Sequence, residues 1–291
     1  MKVKIQNLSV EFKNGTRAID NVSLEIENGI FGLLGENGAG KTTLMRTMTT
    51  VLPATSGNII YGDTPLSPQN YYEIQKKIGY LPQELNLYPH LRVRDALEYI
   101  GRISGLSAKE CKSEIDYYLE STHLTEHQKK RIGQLSGGMK RRVGLIQAMM
   151  TNPEVLIVDE PTTGLDSEER IRIRNLLSDF AKDSIVLFST HVIEDISATC
   201  RKLAVMKKGK LLYQGDVTEL KKMAMGHIGT IHLNDEKKLE SIREKYYVIE
   251  QRYESEEVEV KVMSSDFVPE EIAEDNISLE DAYIYISDRA R

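Results

Sequence analysis

The chain has no tryptophan, and only two cysteines, five phenylalanines and eight prolines among 291 residues. Cys111 and Cys200 stand far apart, with no CxxC and no histidine cluster beside them. That excludes a disulfide scaffold and a Cys/His zinc site, and it points to small buried residues in a reducing, cytosolic setting. A helix that spans a bilayer needs about 20 consecutive apolar residues. The apolar stretches here are short, such as 155–158 and 185–188. The start, Met1-Lys2-Val3-Lys4-Ile5, lacks the apolar core of a signal peptide. Internal repeats and low-complexity tracts are missing too. There is also no excess of positive charge: 38 Lys+Arg face 44 Asp+Glu, for a net charge of −6. Bulk charge therefore does not indicate a nucleic-acid binder. The charge is unevenly spread. Residues 228–291 hold 17 acidic and 8 basic side chains, net −9, and the preceding residues hold 27 and 30, net +3. A boundary near residue 227 is expected, with 1–226 as the main domain and 227–291 as a small acidic one.

What is present is a strong pattern of strands and helices. Val3, Ile5, Leu8, Val10 and Phe12, then Ile19, Val22, Leu24 and Ile26, alternate as half-buried strands do, with Asn14-Gly15 as a turn between them. Residues 30–34 form a compact apolar strand. After a glycine-rich loop, Leu44, Met45, Met48, Val51 and Leu52 fall at helical spacing, and Pro53 stops the helix. Residues 92–150 read as mostly helical. The apolar runs 155–158 and 185–188, separated by a helix, predict a parallel sheet covered on both faces. Residues 203–206 and 211–213 read as a closing hairpin. In the tail, 230–233, 247–251 and 258–262 read as strands, and 237–246 and 279–286 as helices. The pairs Tyr71-Tyr72 and Tyr246-Tyr247 are expected to be partly buried, and the run Lys140-Arg141-Arg142 to be a solvated helix face.

Three segments carry chemistry. The first is Gly35-x-x-x-x-Gly40-Lys41-Thr42. Glycines let the backbone wrap closely around an anion with its N–H groups turned inward, and the positive end of the following helix faces the same point. Lys41 adds a charge near the outer phosphates, and Thr42 offers a hydroxyl to magnesium. The second is Asp159-Glu160, at the carboxyl end of an apolar strand, where ligands gather in parallel sheets. There an Asp can hold the metal, and a Glu can orient and deprotonate a water. The third is Leu135-Ser136-Gly137-Gly138-Met139, in which Ser136 is a good N-cap and the two glycines open a helix N-terminus to an anion.

These segments, in this order, resemble the ATP-binding subunit of ABC transporters over residues 1 to about 220. Residues 35–43 resemble the Walker A loop, 135–139 the signature motif, and 155–160 Walker B with its catalytic glutamate. Gln83 matches the Q-loop, Gly164-Leu165-Asp166 the D-loop and His191 the switch histidine, while Phe12 stands where the family places an adenine-stacking aromatic. Met139 departs from the usual Gln, Phe12 from the commoner Tyr, and Thr163-Gly164 from Ser-Ala. Met139, the run 140–142, the segment 166–170 and the closing Ser278-Leu279-Glu280-Asp281-Ala282-Tyr283 resemble exporter subunits of the drug and antibiotic type.

The resemblance implies an α/β phosphate-loop NTPase core with an N-terminal antiparallel β subdomain, a helical subdomain at about 84–150 and a small C-terminal α+β domain. It implies ATP and Mg2+ as ligands. Phe12, Gly35, Asn37, Gly38, Ala39, Gly40, Lys41, Thr42 and Thr43 would bind nucleotide. Ser136, Gly137, Gly138 and Asp166 would do so across a two-fold dimer, most simply a homodimer. Thr42, Gln83 and Asp159 would serve the metal, and Glu160, His191 and Gln83 the hydrolysis. The expected partner is a separate membrane-spanning permease, which would hold the chain against the inner face of the cell membrane. Leu87, Tyr88 and Leu91 are candidates to line its docking groove, and no nucleic acid is expected. The alternatives are a soluble ATPase of the same type acting on ribosomes or DNA, and an importer subunit. A small-molecule kinase would leave 135–139, Gln83 and His191 unexplained. The single motif set and the lack of a heptad run argue against the soluble relatives.

Overall fold

The computed structural model describes residues 1–234, 238–254, 257–274 and 276–289. Contacts divide the chain into two compact units, Met1–Leu211 and Leu212–Arg291. The first unit begins with β1 (Lys2–Glu11), β2 (Arg17–Glu27) and β3 (Gly29–Leu34), then α1 (Lys41–Met48). There follow β4 (Ser56–Tyr61), β5 (Thr64–Pro65), α2 (Tyr71–Lys77) and β6 (Ile78–Leu81). The helical stretch holds α3 (Val93–Ile103), α4 (Ala108–Ser121) and α5 (Gly137–Met149). The chain then alternates through β7 (Val155–Asp159), α6 (Ser167–Phe180), β8 (Ile185–Thr190), α7 (Ile193–Thr199), β9 (Lys202–Lys207) and β10 (Lys210–Asp216).

Two sheets result. One is antiparallel, ordered β2-β1-β4-β5, and buries alternate residues of β1. The other has the order β10-β9-β3-β8-β7-β6, in which β6, β7, β8, β3 and β9 run parallel. Every residue of β7 and β8 is buried, as expected of strands covered on both faces. Leu44, Met45 and Met48 of α1 join Val3, Ile5, Ile157 and Leu187 in one core, so the helix is anchored to both sheets. This parallel order brings the carboxyl ends of β3, β8, β7 and β6 to one edge, and the chemistry-bearing loops leave from there. The turn between β9 and β10 uses Lys208 (φ 47°) and Gly209 (φ 80°), two left-handed residues that match hairpin twist.

Two surface expectations fail. Tyr72 is 72% exposed, with the Lys76 ammonium 4.1 Å from its ring centroid. Arg141 and Arg142 are buried, not solvated, because α5 packs their side chains inward onto carbonyl groups. Both cysteines are buried, as expected.

The second unit adds α8 (Val217–Met223), β11 (Ile228–Leu233), α9 (Leu239–Lys245), β12 (Tyr247–Glu254), β13 (Glu257–Met263) and α10 (Leu279–Asp288). Its antiparallel sheet, ordered β11-β13-β12, buries Leu233, Val258, Val260 and Val262, with Leu239 and Ile242 of α9 against them. The expected start of α9, at Lys237, lies outside the described residues. Ser278 and Asp281 form a reciprocal cap on α10, and Lys261 Nζ sits 2.8 Å from Asp281 Oδ2. That accounts for a Ser-x-x-Asp at the head of the closing segment.

Candidate nucleotide site

The loop after β3 turns on two left-handed glycines, Gly38 (φ 82°) and Gly40 (φ 105°). Gly40 is the N-cap of α1 and supplies no side-chain cap, and no acid stands in the first turn. The first N–H groups of that helix therefore lack a side-chain cap, which suits an anion, and the Glu160 carboxylate that shares the cavity is held by Lys41, Thr163 and His191. A Cβ on Gly40 would meet the Ala18 carbonyl at 2.6 Å. Gly40→Ala must therefore move the loop, at a cost of about 1–3 kcal/mol. The expected result is nucleotide affinity lowered at least about tenfold, measured by titration of a fluorescent ATP analogue. Wild-type affinity in this variant would show that loop geometry does not set binding.

Lys41 is 5% exposed, and its ammonium is already occupied. Nζ donates to the Gly35 carbonyl at 2.5 Å and the Glu36 carbonyl at 3.2 Å, and lies 3.3 Å from Glu160 Oε1. Glu160 takes a left-handed φ of 50° directly after β7. Its N–H donates to Ser189 Oγ at 2.9 Å, and its Oε2 accepts from Thr163 Oγ1 at 2.7 Å and contacts His191 Nδ1 at 2.8 Å. Burial alone would raise this carboxyl, but the Thr163 hydrogen bond and the Lys41 and His191 charges outweigh it, and the net shift is below the ordinary 4.5.

Asp159 is fully buried. Ser189 Oγ donates to its Oδ1 at 2.5 Å, and Oδ2 has no hydrogen-bond partner among the described residues. An orphaned carboxylate oxygen at a sheet edge fits a hard cation. The described residues contain no cluster of three or more His, Cys, Asp or Glu able to cage a metal. The fit is thus to an ion that takes one or two protein oxygens and completes its shell with substrate and water, as Mg2+ does.

Phe12, residues 37–43, Gln83 and Glu160 line one cavity of about 600 Å3. Gly35 lies beneath it, buried, with its carbonyl on Lys41. His191 approaches through its contact with Glu160. Ser136, Gly137, Gly138 and Asp166 do not line the cavity. Ser136 caps α5, its Oγ accepting from Met139 N at 3.2 Å, and Asp166 caps α6, accepting from Glu169 N at 2.9 Å. Gly138 lies beside the Glu169 side chain, 3.4 Å from where a Cβ would stand.

Sequence reasoning missed several contributors. Ser189 bridges Asp159 and the Glu160 backbone from the next strand, and its place at the polar end of an otherwise apolar run was the available signal. Thr163 holds the Glu160 carboxylate from three residues on. Arg17 and Lys208 also line the cavity, and Gly209 N donates to the Ala39 carbonyl at 3.0 Å, a placement no local pattern announces.

The sequence model of the ABC transporter family matches residues 19–163. The chain is 37% identical to the uncharacterized ABC transporter ATP-binding protein YxlF of Bacillus subtilis, over 84% of this chain and 81% of that one. It is 38% identical to the Nod factor export ATP-binding protein I of Paraburkholderia xenovorans, covering 68% and 65% of the two chains. Identity to the methionine import ATP-binding protein MetN 1 of Pectobacterium atrosepticum is 36%, covering 74% and 66%. Among solved structures, cbiO1 of Clostridium perfringens, part of the ABC transporter complex cbiONQ, superposes with a TM-score of 0.68 at 28% identity, covering 75% of this chain and 89% of that one. The dimeric post-hydrolysis cassette MJ0796 with ADP and Pi gives 0.68 at 25%, covering 74% and 98%. The fold and the site define a phosphate-loop ATPase. The chain belongs to the ATP-binding proteins of ABC transporters.

Proposed function

We propose that this chain is the ATP-hydrolysing subunit of an exporter of drugs, antibiotics or peptides and drives a separate membrane-spanning subunit. In this reading residues 1–226 form the ATPase and 227–291 an appended domain. The observation that carries it is the convergence of Lys41, Asp159 and Glu160 at one sheet edge beside an open phosphate loop. No helix of the described residues is long and apolar enough to cross a membrane, and in this reading the separate membrane-spanning subunit supplies the transport path.

Two copies would pair head to tail, as the family resemblance implies, with the signature glycines of one copy over the nucleotide of the other; in support, those glycines do not line this chain's own cavity. Lys41 and the loop N–H groups hold the triphosphate, and Phe12 stacks on the base. Entry of the phosphates draws the Lys41 ammonium from Glu160, which removes one of the charges that depress the carboxyl and makes it a better base. Glu160 then orients a water and takes its proton as that oxygen bonds to the γ-phosphorus, and the bond from that phosphorus to the β–γ bridging oxygen breaks, its electron pair leaving on ADP. His191 and Thr163 keep the carboxylate aimed. Thr42 and Asp159, with Gln83 at the cavity wall, would hold Mg2+, which neutralises charge on the phosphoryl oxygens.

The export direction draws support from Met139, the closing segment 278–283 and a relative named for export. A relative named for import keeps the opposite direction as a second reading. The deciding experiment reconstitutes the chain with its membrane partner in vesicles, with the ATPase face outward. Substrate accumulation inside the vesicles on ATP addition is the expected result. ATP-driven loss from loaded vesicles would overturn the direction, and failure of any membrane subunit to retain the chain would overturn the subunit reading. In the same preparation, replacing Leu87, Tyr88 and Leu91 tests their docking role. Tyr88 and Leu91 are exposed, with Tyr88 edge-on to Tyr99 at 5.9 Å.

A further inference from the structure

The chemistry above leaves two buried guanidinium groups unused, Arg141 and Arg142, and of these Arg141 is the one bonded to the carbonyls of Asp159 and Glu160. Arg141 lies in the second turn of α5, 6% exposed, one turn beyond the capped end that carries Ser136, Gly137 and Gly138. The strands β6 and β7 are parallel neighbours, paired as Leu81 with Val158, so their outgoing chains leave the sheet side by side. Carbonyls there have run out of ladder partners and need donors. The guanidinium supplies them. Nη1 donates to the carbonyls of Pro82 and Gln83, both at 2.9 Å, and Nη2 donates to the carbonyl of Glu160 at 2.9 Å and to that of Asp159. The four terminal N–H groups therefore serve four carbonyls from two loops, a pattern open to a planar fork and closed to a lysine ammonium. Burial pulls this guanidinium down to about 10, opposed by the nearby Asp159, Glu160 and Tyr80, so it stays charged at neutral pH. A second observation points the same way. The left-handed backbone of Glu160 persists only if its surroundings over-determine it, and its N–H is held by Ser189 while its carbonyl is held by Arg141.

We propose that Arg141 is a positioning residue that ties the backbones of Gln83 and Glu160 to the helix bearing the signature glycines. Seating of that helix against a partner's nucleotide then sets the catalytic groups of this subunit's own site. The inference rests on the paired-subunit reading above. It makes each nucleotide site sensitive to the occupancy of the other, which is a coupling free energy between two sites.

The test uses the full chain, with Arg141→Met and Arg141→Lys compared with wild type. ATP turnover is followed against ATP concentration, together with the affinity for a non-hydrolysable ATP analogue and the melting temperature. Arg141→Met is expected to lower kcat by about tenfold or more, since small misplacements of catalytic groups are costly. Analogue affinity should stay within about twofold, and the Hill coefficient should fall from near two to near one. Arg141→Lys should keep the fold and recover only part of the rate, and it decides the matter if the Met variant does not fold. A variant with wild-type kcat and cooperativity overturns the proposal. So does a wild-type coefficient of about one, or a rate loss matched by equal losses of affinity and melting temperature in both variants. Glu160→Gln runs alongside: continued hydrolysis there would remove the underlying reading of the site, whatever Arg141 does.

Discussion

Glu160→Gln is expected to cut ATP turnover by about a hundredfold or more, the loss typical of removing a general base. ATP binding should survive it. The amide keeps the size of the side chain, and its oxygen can still accept from Thr163. What disappears is the negative charge that lies 3.3 Å from Lys41. Lys41 is left with only the Gly35 and Glu36 carbonyls, and its ammonium is freer to meet phosphate. The variant should therefore bind ATP at least as tightly as wild type and accumulate as an ATP-bound dimer, visible as a shift in size-exclusion elution that ADP does not produce. Turnover within about threefold of wild type would show that another group takes the proton.

Lys41→Met should have the second largest effect, and on two properties at once. Loss of a charge-assisted contact to phosphate is expected to weaken ATP binding by about ten- to a hundredfold. The substitution also strands a carboxylate that is 4% exposed. Removing one partner of a buried pair costs about 3 kcal/mol, as an upper figure here, because Thr163 and His191 still contact Glu160. The double variant with Glu160→Gln should recover most of that stability and none of the ATP affinity, which separates the two effects in a thermodynamic cycle. pH gives the sign. The Glu160 carboxyl is depressed below its ordinary 4.5 in the folded state. Its contribution is present above that value and is lost as pH falls through the folded value. Wild-type stability should therefore drop on the acid side of pH 4.5, and Lys41→Met should flatten that drop. Urea denaturation at neutral pH and again on the acid side measures it. Identical pH dependence in the two proteins would remove the ion pair from the stability of the site.

Much of this site was legible in the sequence because its parts are local. A phosphate loop needs its glycines, its lysine and the following helix within a few residues. The chain spacing alone therefore specified residues 35–42, and Gly38 and Gly40 adopt the left-handed backbone that such a loop demands. The same holds for the Ser136 cap, whose hydrogen bond closes three residues on. The apolar runs of β7 and β8 announced strands buried on both faces. The resemblance supplied the identity of the motifs, and the comparisons agree on the family.

What only the tertiary structure decided is which distant groups share an edge. Arg141 looked like part of a solvated cationic run, because a sequence shows charge and not the carbonyls that await it. Its partners stand 58 and 59 residues away at the end of β6, and 18 and 19 residues away at the end of β7, two strands that meet only after the sheet orders itself. Ser189 reaches Asp159 across 30 residues for the same reason, and by taking one carboxylate oxygen it leaves the other free for a cation. The sequence by itself determined the local devices: a loop that cradles phosphate, capped helices, and strands that must be covered. Parallel pairing, which joins strand ends regardless of their separation along the chain, decided the rest: which oxygen is open, which carboxylate faces the lysine, and which arginine holds them in place.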